Sequence, residues 1–161
     1  MRARQYAIGL FLVSGNSMIA EALATLPIDW LVVDMEASPV TKEGAIHVMQ
    51  ALNGSGVTPL IRVPACDRHL IEHALDAGAH GVIVPKIDTP EAAARAAAAC
   101  RYPPRGARGI NPVRSSAYFS NMTEYLRLAN DRTLCIVQIE SIEAVECAPE
   151  IAAVDGVDGL F

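Results

Sequence analysis

The sequence predicts an α/β fold of the (β/α)8 barrel type, and three observations carry that prediction. Apolar, β-branched runs alternate with helical segments at a spacing of roughly 25 residues, the mark of repeated βα units. Polar residues stand where several of these runs end: Asp34 and Glu36 after Trp30-Leu31-Val32-Val33, Arg62 after Thr58-Pro59-Leu60-Ile61, and Gln138 and Glu140 after Leu134-Cys135-Ile136-Val137. The dinucleotide fingerprint is missing after the first strand, because Gly9 and Gly15 do not form G-x-G-x-x-G, which argues against a Rossmann sheet.

Strands are expected near 7–13, 30–35, 58–63, 81–85, 134–140 and 156–161, with a further short strand at 108–111. Helices are expected near 17–26, 41–53, 68–77, 90–101, 122–130 and 142–153. Their starts are chemically marked, since Thr41, Asp67, Thr89, Asn121 and Ser141 can each accept a hydrogen bond from an orphan N–H of a first turn. Pro90 sits just inside Thr89, where a missing N–H costs little. Gly54, Gly56 and Gly78 suit helix ends. The alanine-rich run 92–99 is a strong helix former able to pack closely on a sheet. Tyr102-Pro103-Pro104-Arg105-Gly106-Ala107-Arg108-Gly109 reads as a rigid loop. No linker divides the chain, so 1–161 is expected to be a single domain. A whole barrel needs about 250 residues. Seven strands are expected here, with the chain stopping in or just after the seventh, as a C-terminally incomplete barrel and a fragment of a longer protein.

Composition sets limits on function. The chain has 161 residues, 52% of them hydrophobic but only 5% aromatic, so its core must be aliphatic. With a net charge of −5 and scattered basic residues, no nucleic-acid partner is expected. No apolar run approaches the roughly 20 residues of a membrane span, so no membrane partner is expected. The basic start, Met1 to Tyr6, followed by apolar 7–13 reads as a first strand rather than a signal peptide. Cys66, Cys100, Cys135 and Cys147 are widely separated and fit small buried hydrophobes in a reducing cytoplasm.

Side chains alternate faces along a strand, so Asp34 and Glu36 share a face, as do Gln138 and Glu140. A carboxylate, a guanidinium and an amide at the C-terminal ends of separate strands is how a parallel β/α enzyme builds a site. A packed core has no use for them, because a buried charge without a partner is costly.

Six segments in order carry a resemblance: Asp29-Trp30-Leu31-Val32-Val33-Asp34-Met35-Glu36, Ile61-Arg62-Val63-Pro64, Leu75-Asp76-Ala77-Gly78-Ala79, the stretch from Arg101 to Gly109, Val137-Gln138-Ile139-Glu140, and Gly156-Val157-Asp158-Gly159. Together they resemble the metal-dependent class II pyruvate aldolase family, which includes 2,4-dihydroxyhept-2-ene-1,7-dioate aldolase and 2-keto-3-deoxy sugar acid aldolases, with citrate-lyase β-like lyases as relatives. The resemblance runs from Ala7 to Phe161. It implies a barrel that cleaves a 4-hydroxy-2-oxo acid to pyruvate and an aldehyde through a metal-stabilised enolate. It implies a divalent ion (Mg²⁺, Mn²⁺ or Co²⁺) held by Glu140, a substrate site containing Gln138 and Arg62, catalytic roles for Arg62 and Asp76, and a homo-oligomer acting on a small oxo acid; Asp34 joins the catalytic candidates from its place at a strand end. An oxygen ligand suits a hard ion, and the planar fork of Arg62 matches an enolate or carboxylate better than a lysine would.

The chain departs from the family in two places. The family's general base is a histidine at the position of Ala37, and alanine cannot take a proton; Asp76 then loses the histidine it would tune. A Gly-Pro-x-Asp-Leu segment carrying a second carboxylate ligand would follow the seventh strand, and the sequence stops before it. Weakened or altered aldolase chemistry is expected, with a non-catalytic barrel subunit or a citrate-lyase-like acyl-CoA lyase as alternatives. Four readings stay open. Asp34 and Glu36 could be hydrogen-bond acceptors, Gln138 could satisfy buried backbone, Glu140 could pair with Arg62, and Arg105 and Arg108 could anchor their loop or bind an acidic substrate tail. Lys86 as a Schiff-base lysine and His69-Leu70-Ile71-Glu72-His73 as a zinc motif are set lower.

Overall fold

The computed structural model of the protein describes residues 6–161, so the basic start at 1–5 lies outside the described residues. Six strands, β1 (Gly9–Leu12), β2 (Trp30–Asp34), β3 (Thr58–Arg62), β4 (Gly81–Val84), β5 (Leu134–Val137) and β6 (Gly159–Leu160), form one parallel sheet in sequential order. Between them run α1 (Ser17–Leu23), α2 (Lys42–Ala51), α3 (Arg68–Asp76), α4 (Pro90–Cys100), α5 (Met122–Arg132), α6 (Ile142–Glu146) and α7 (Ala148–Ala152). The order never reverses, as it would at the switch point of a doubly wound sheet. Right-handed crossovers in one direction put every helix on the same side, which is barrel geometry. The curl brings the ring of Phe11 to 5.5 Å from that of Phe161.

Two sets of apolar side chains follow from strand alternation. Leu31, Val33, Ile61, Val82, Val84, Cys135 and Val137 face outward and pack under the helices with Val48, Ile71, Leu75 and Ala96. Val32, Leu60 and Ile83 face inward with Phe11, Trp30, Leu134 and Ile136. The alanines of α4 are buried, and their short side chains let the helix lie close to the sheet. Gly81 is required by a close approach, since a Cβ there would meet Leu134 at 2.6 Å.

Most helix starts follow the cap signals. Thr41, Asp67, Thr89 and Ser141 accept from first-turn N–H groups, and Asn16, unmarked in the sequence reading, does the same for α1. Asn121 makes no side-chain cap, because its ψ of 32° is not the extended geometry a cap needs. The helix expected at 142–153 is split at Cys147. Pro149 has no N–H to offer the carbonyl of Val145, so the helix cannot run through.

The short strand expected at 108–111 does not form, and the described residues contain six strands instead of seven. Its backbone is engaged elsewhere: Arg108 N–H donates to Arg101 O and Gly109 N–H to Glu72 Oε1. The Arg108 side chain is fully buried. It lies over the Tyr102 ring at 4.5 Å, pairs with Asp76 at 2.6 Å and donates to Tyr125 Oη at 3.1 Å. Burial pushes the Asp76 carboxyl above its ordinary range, although the Arg108 hydrogen bond and charge pull the other way. Breaking this pair leaves Asp76 without its cation, so Arg108→Ala is expected to lower unfolding free energy by about 3 kcal/mol, read from the urea midpoint.

Candidate active site

Parallel pairing sets Asp34 directly beside Arg62, the last residues of β2 and β3. The Arg62 fork grips the carboxylate at both oxygens, Nε to Oδ1 at 2.9 Å and Nη2 to Oδ2 at 2.7 Å. Oδ1 also accepts the N–H groups of Glu36 at 3.0 Å and Ala37 at 3.2 Å, a turn that ends the strand. Glu36 reaches back to Arg62 Nη1 at 3.2 Å. Asp34 is 1% exposed, whereas the Arg62 and Glu36 side chains are partly exposed. The guanidinium also lies over the Phe11 ring at 5.3 Å.

The next strand end adds an acid and an amide. Gln138 and Glu140 continue the inward face of Ile136, and Gln138 Nε2 donates to Glu140 Oε2 at 3.0 Å. The other oxygen, Oε1, accepts the backbone N–H of Lys86 at 2.8 Å. Lys86 adopts φ +56°, a left-handed conformation uncommon for a side-chain-bearing residue, and its backbone N–H points to Glu140. Gln138 is buried and its Oε1 has no partner among the described residues. Asp34, Glu36 and Glu140 all act on the charge of Arg62, so the barrel mouth holds three carboxylates around one guanidinium.

Burial pushes the Asp34 carboxyl up, but hydrogen bonds from Arg62, Ala37 and Glu36 and the Arg62 charge outweigh it and hold the group below its ordinary 3.8. A folded value under the unfolded one means that the pair stabilises the fold above pH 3.8 and that this contribution fades as pH falls through the depressed folded value. Asp34→Asn is therefore expected to flatten the acid limb of stability against pH, measured by urea unfolding between pH 2 and 6.

Glu140 has the hard oxygens a divalent ion takes, and each keeps a lone pair beyond its one hydrogen bond. Among the described residues, however, no group of three His, Cys, Asp or Glu stands close enough to hold a metal ion. The chain thus fits such an ion through one carboxylate only. Asp34 pairs with Arg62, Gln138 bonds Glu140, and Glu140 is near enough to act on the Arg62 charge. Asp76 does not join them within this chain: it closes α3, which runs back from the mouth, and pairs with Arg108. Glu72 of the histidine-bearing motif is held by Arg68 and the Gly109 N–H. Arg105 pairs with Asp131, and Asp158 with Arg101 and the Cys135 N–H. The backbone role of Lys86 and the aromatic floor at Phe11 went unread in the sequence. The alternation of β1 could have placed Phe11 on the inner face, whereas nothing in a lysine announces φ +56°.

These features define a β/α-barrel protein with an acid-, amide- and guanidinium-lined site at the C-terminal ends of its strands. The HpcH/HpaI aldolase/citrate lyase family model matches residues 7–161, and the chain belongs to that family. It is 41% identical over its whole length to a 2-dehydro-3,6-dideoxy-6-sulfogluconate aldolase of Pseudomonas putida, covering 64% of that protein. A hydroxypyruvate/pyruvate aldolase of Cupriavidus necator is 38% identical, again over the whole chain and 60% of the relative. A crystal structure of a family member from Burkholderia cenocepacia superposes with a TM-score of 0.89 at 38% identity, over 96% of this chain and 63% of that one. The chain thus spans somewhat under two thirds of the length of the curated relatives it matches. Among the described residues no helix is long and apolar enough to cross a membrane.

Proposed function

We propose that the protein is a carbon–carbon lyase that cleaves a 4-hydroxy-2-oxo acid to pyruvate and an aldehyde. The observation that carries this reading is the convergence of Arg62, Gln138 and Glu140 on the inner face of the barrel mouth. Two curated relatives bear aldolase names, one of them a pyruvate aldolase.

Cleavage of the bond between C3 and C4 sends an electron pair into the C2–C3 bond and negative charge onto the C2 oxygen. Preorganised donors aimed at that oxygen stabilise the transition state without reorganising. Arg62 has five N–H donors; Asp34 takes two, and Glu36 stands 3.2 Å from Nη1 as an ion pair, so Nη1 and Nη2 keep hydrogens for the enolate or the carboxylate. Gln138 Oε1, buried and without a donor, accepts one from the substrate. Glu140 is the residue that would hold a divalent cation (Mg²⁺, Mn²⁺ or Co²⁺), and such an ion when bound polarises the oxo group as a Lewis acid. A homo-oligomer and cytoplasmic localisation belong to the same proposal. The test is pyruvate release from a panel of 4-hydroxy-2-oxo acids by the full-length protein, with Mn²⁺ or with a chelator. Release that the chelator abolishes is expected, and no release under any metal would refute the reading.

A further inference from the structure

We infer that Glu36 is the general base of this site, taking the proton of the substrate's 4-hydroxyl directly. The inference rests on the lyase reading above. Cleavage needs a group that accepts that proton as the C3–C4 bond breaks. The same group can then return it to C3 of the enolate as the pyruvate methyl forms, so protons and electron pairs balance with no further reactant.

Among the described residues, the carboxylate at the mouth least tied to other groups is that of Glu36. Asp34 is buried, with three hydrogen bonds on Oδ1 and one on Oδ2, and both oxygens are gripped by the Arg62 fork. Each Glu140 oxygen accepts one hydrogen bond, from the Lys86 N–H and from Gln138 Nε2, and its remaining lone pairs are those the lyase reading gives to a cation. An amide and a guanidinium are not bases here, and a lysine ammonium has no lone pair. His47 lies on α2, His69 and His73 on α3, and His80 precedes β4 at the opposite end of the strands. Glu36 alone makes a single side-chain contact, Oε2 to Arg62 Nη1 at 3.2 Å, and its Oε1 has no partner among the described residues. Its side chain keeps 18% of its surface exposed, so it is not sealed in the interior. It touches the same nitrogen that carries a spare hydrogen for the substrate. A substrate oxygen bound at Arg62 Nη1 is thereby placed next to the free carboxylate oxygen.

The experiment is exchange of pyruvate methyl protons in D2O by the full-length protein with Mg²⁺, followed by proton NMR. Wild-type exchange is expected, with Glu36→Gln slower by about 10² to 10⁴ and its dependence on pyruvate concentration little changed. Glu36→Asp should keep part of the rate, and Glu36→Ala should regain rate on adding formate. Melting midpoints identify any variant that fails to fold, and the remaining folded variants then decide. Glu36→Gln within about threefold of wild type, or a folded Glu36→Ala that ignores formate, would overturn the inference, since general-base help is worth far more than that. No exchange by the wild type would instead remove the lyase reading beneath it.

Discussion

Replacing Arg62 with alanine is expected to lower kcat/KM for pyruvate release by about 10² to 10³, the usual cost of one lost oxyanion donor. The same change strips Asp34 of its fork and leaves a carboxylate, 1% exposed, with only two backbone N–H groups. Breaking a buried pair in this way typically costs about 3 to 5 kcal/mol of stability. The lower end applies, because 15% of the Arg62 side chain remains exposed and the two backbone bonds persist. Arg62→Lys is expected to fail as a rescue, since a lysine is a point charge and cannot hold both oxygens of Asp34 in one plane. The two effects separate in the double variant Asp34→Asn/Arg62→Ala. Neutralising Asp34 should restore much of the stability, read from the urea midpoint, while kcat/KM stays low. Recovery of activity in the double variant would mean that Arg62 serves only the fold.

A histidine at Ala37 is expected to raise pyruvate release at least tenfold, from the roughly 10² to 10⁴ that general acid–base help can supply. Ala37 is exposed at the mouth, and its backbone N–H is tied to Asp34 Oδ1, which fixes the direction of its side chain. An imidazole there titrates near neutral pH, where a base is most effective. The gain falls short of the full range because Glu36 already works in the wild type. Glu36→Gln should accordingly cost less in the Ala37→His background than alone, a coupling that a double-mutant cycle measures. Ala37→Ser adds a polar group without a base and should leave the rate unchanged. An unchanged rate in Ala37→His would show that proton transfer does not limit turnover.

Much of the barrel and its mouth could be read from residues because both rest on local rules. Period-two alternation fixes which side of each strand a residue takes, so Asp34, Arg62 and Gln138 were placed correctly once the strands were found. Cap chemistry located most helices for the same reason. The segment from Arg101 to Asn121 resisted reading because tertiary contacts decide it. Arg108 reads as a possible anchor for its loop, but its full burial against Tyr102 and Asp76 is not legible in the sequence. Ala117, Tyr118 and Phe119 hold φ of 54°, 55° and 67°, which no non-glycine run would suggest. There the Ser116 hydroxyl accepts the Phe119 N–H, and the Tyr118 N–H reaches Val113 O. The Lys86 N–H on Glu140 escaped for a related reason, since a backbone donor leaves no trace in residue identity. Pro149, by contrast, was visible and marks a break that the helical pattern around it concealed.

The central claim is that Arg62, Gln138 and Glu140 enclose one small oxo acid at the strand C-termini. A crystal structure of the full-length protein soaked with pyruvate and Mg²⁺ tests it most directly. The account predicts a pyruvate oxygen about 3 Å from Arg62 Nη1, with Gln138 and Glu140 on the other flank. Pyruvate bound instead in the groove between the end of α3 and α5, beside His80, Arg114 and Tyr125, with the barrel mouth empty, would contradict it.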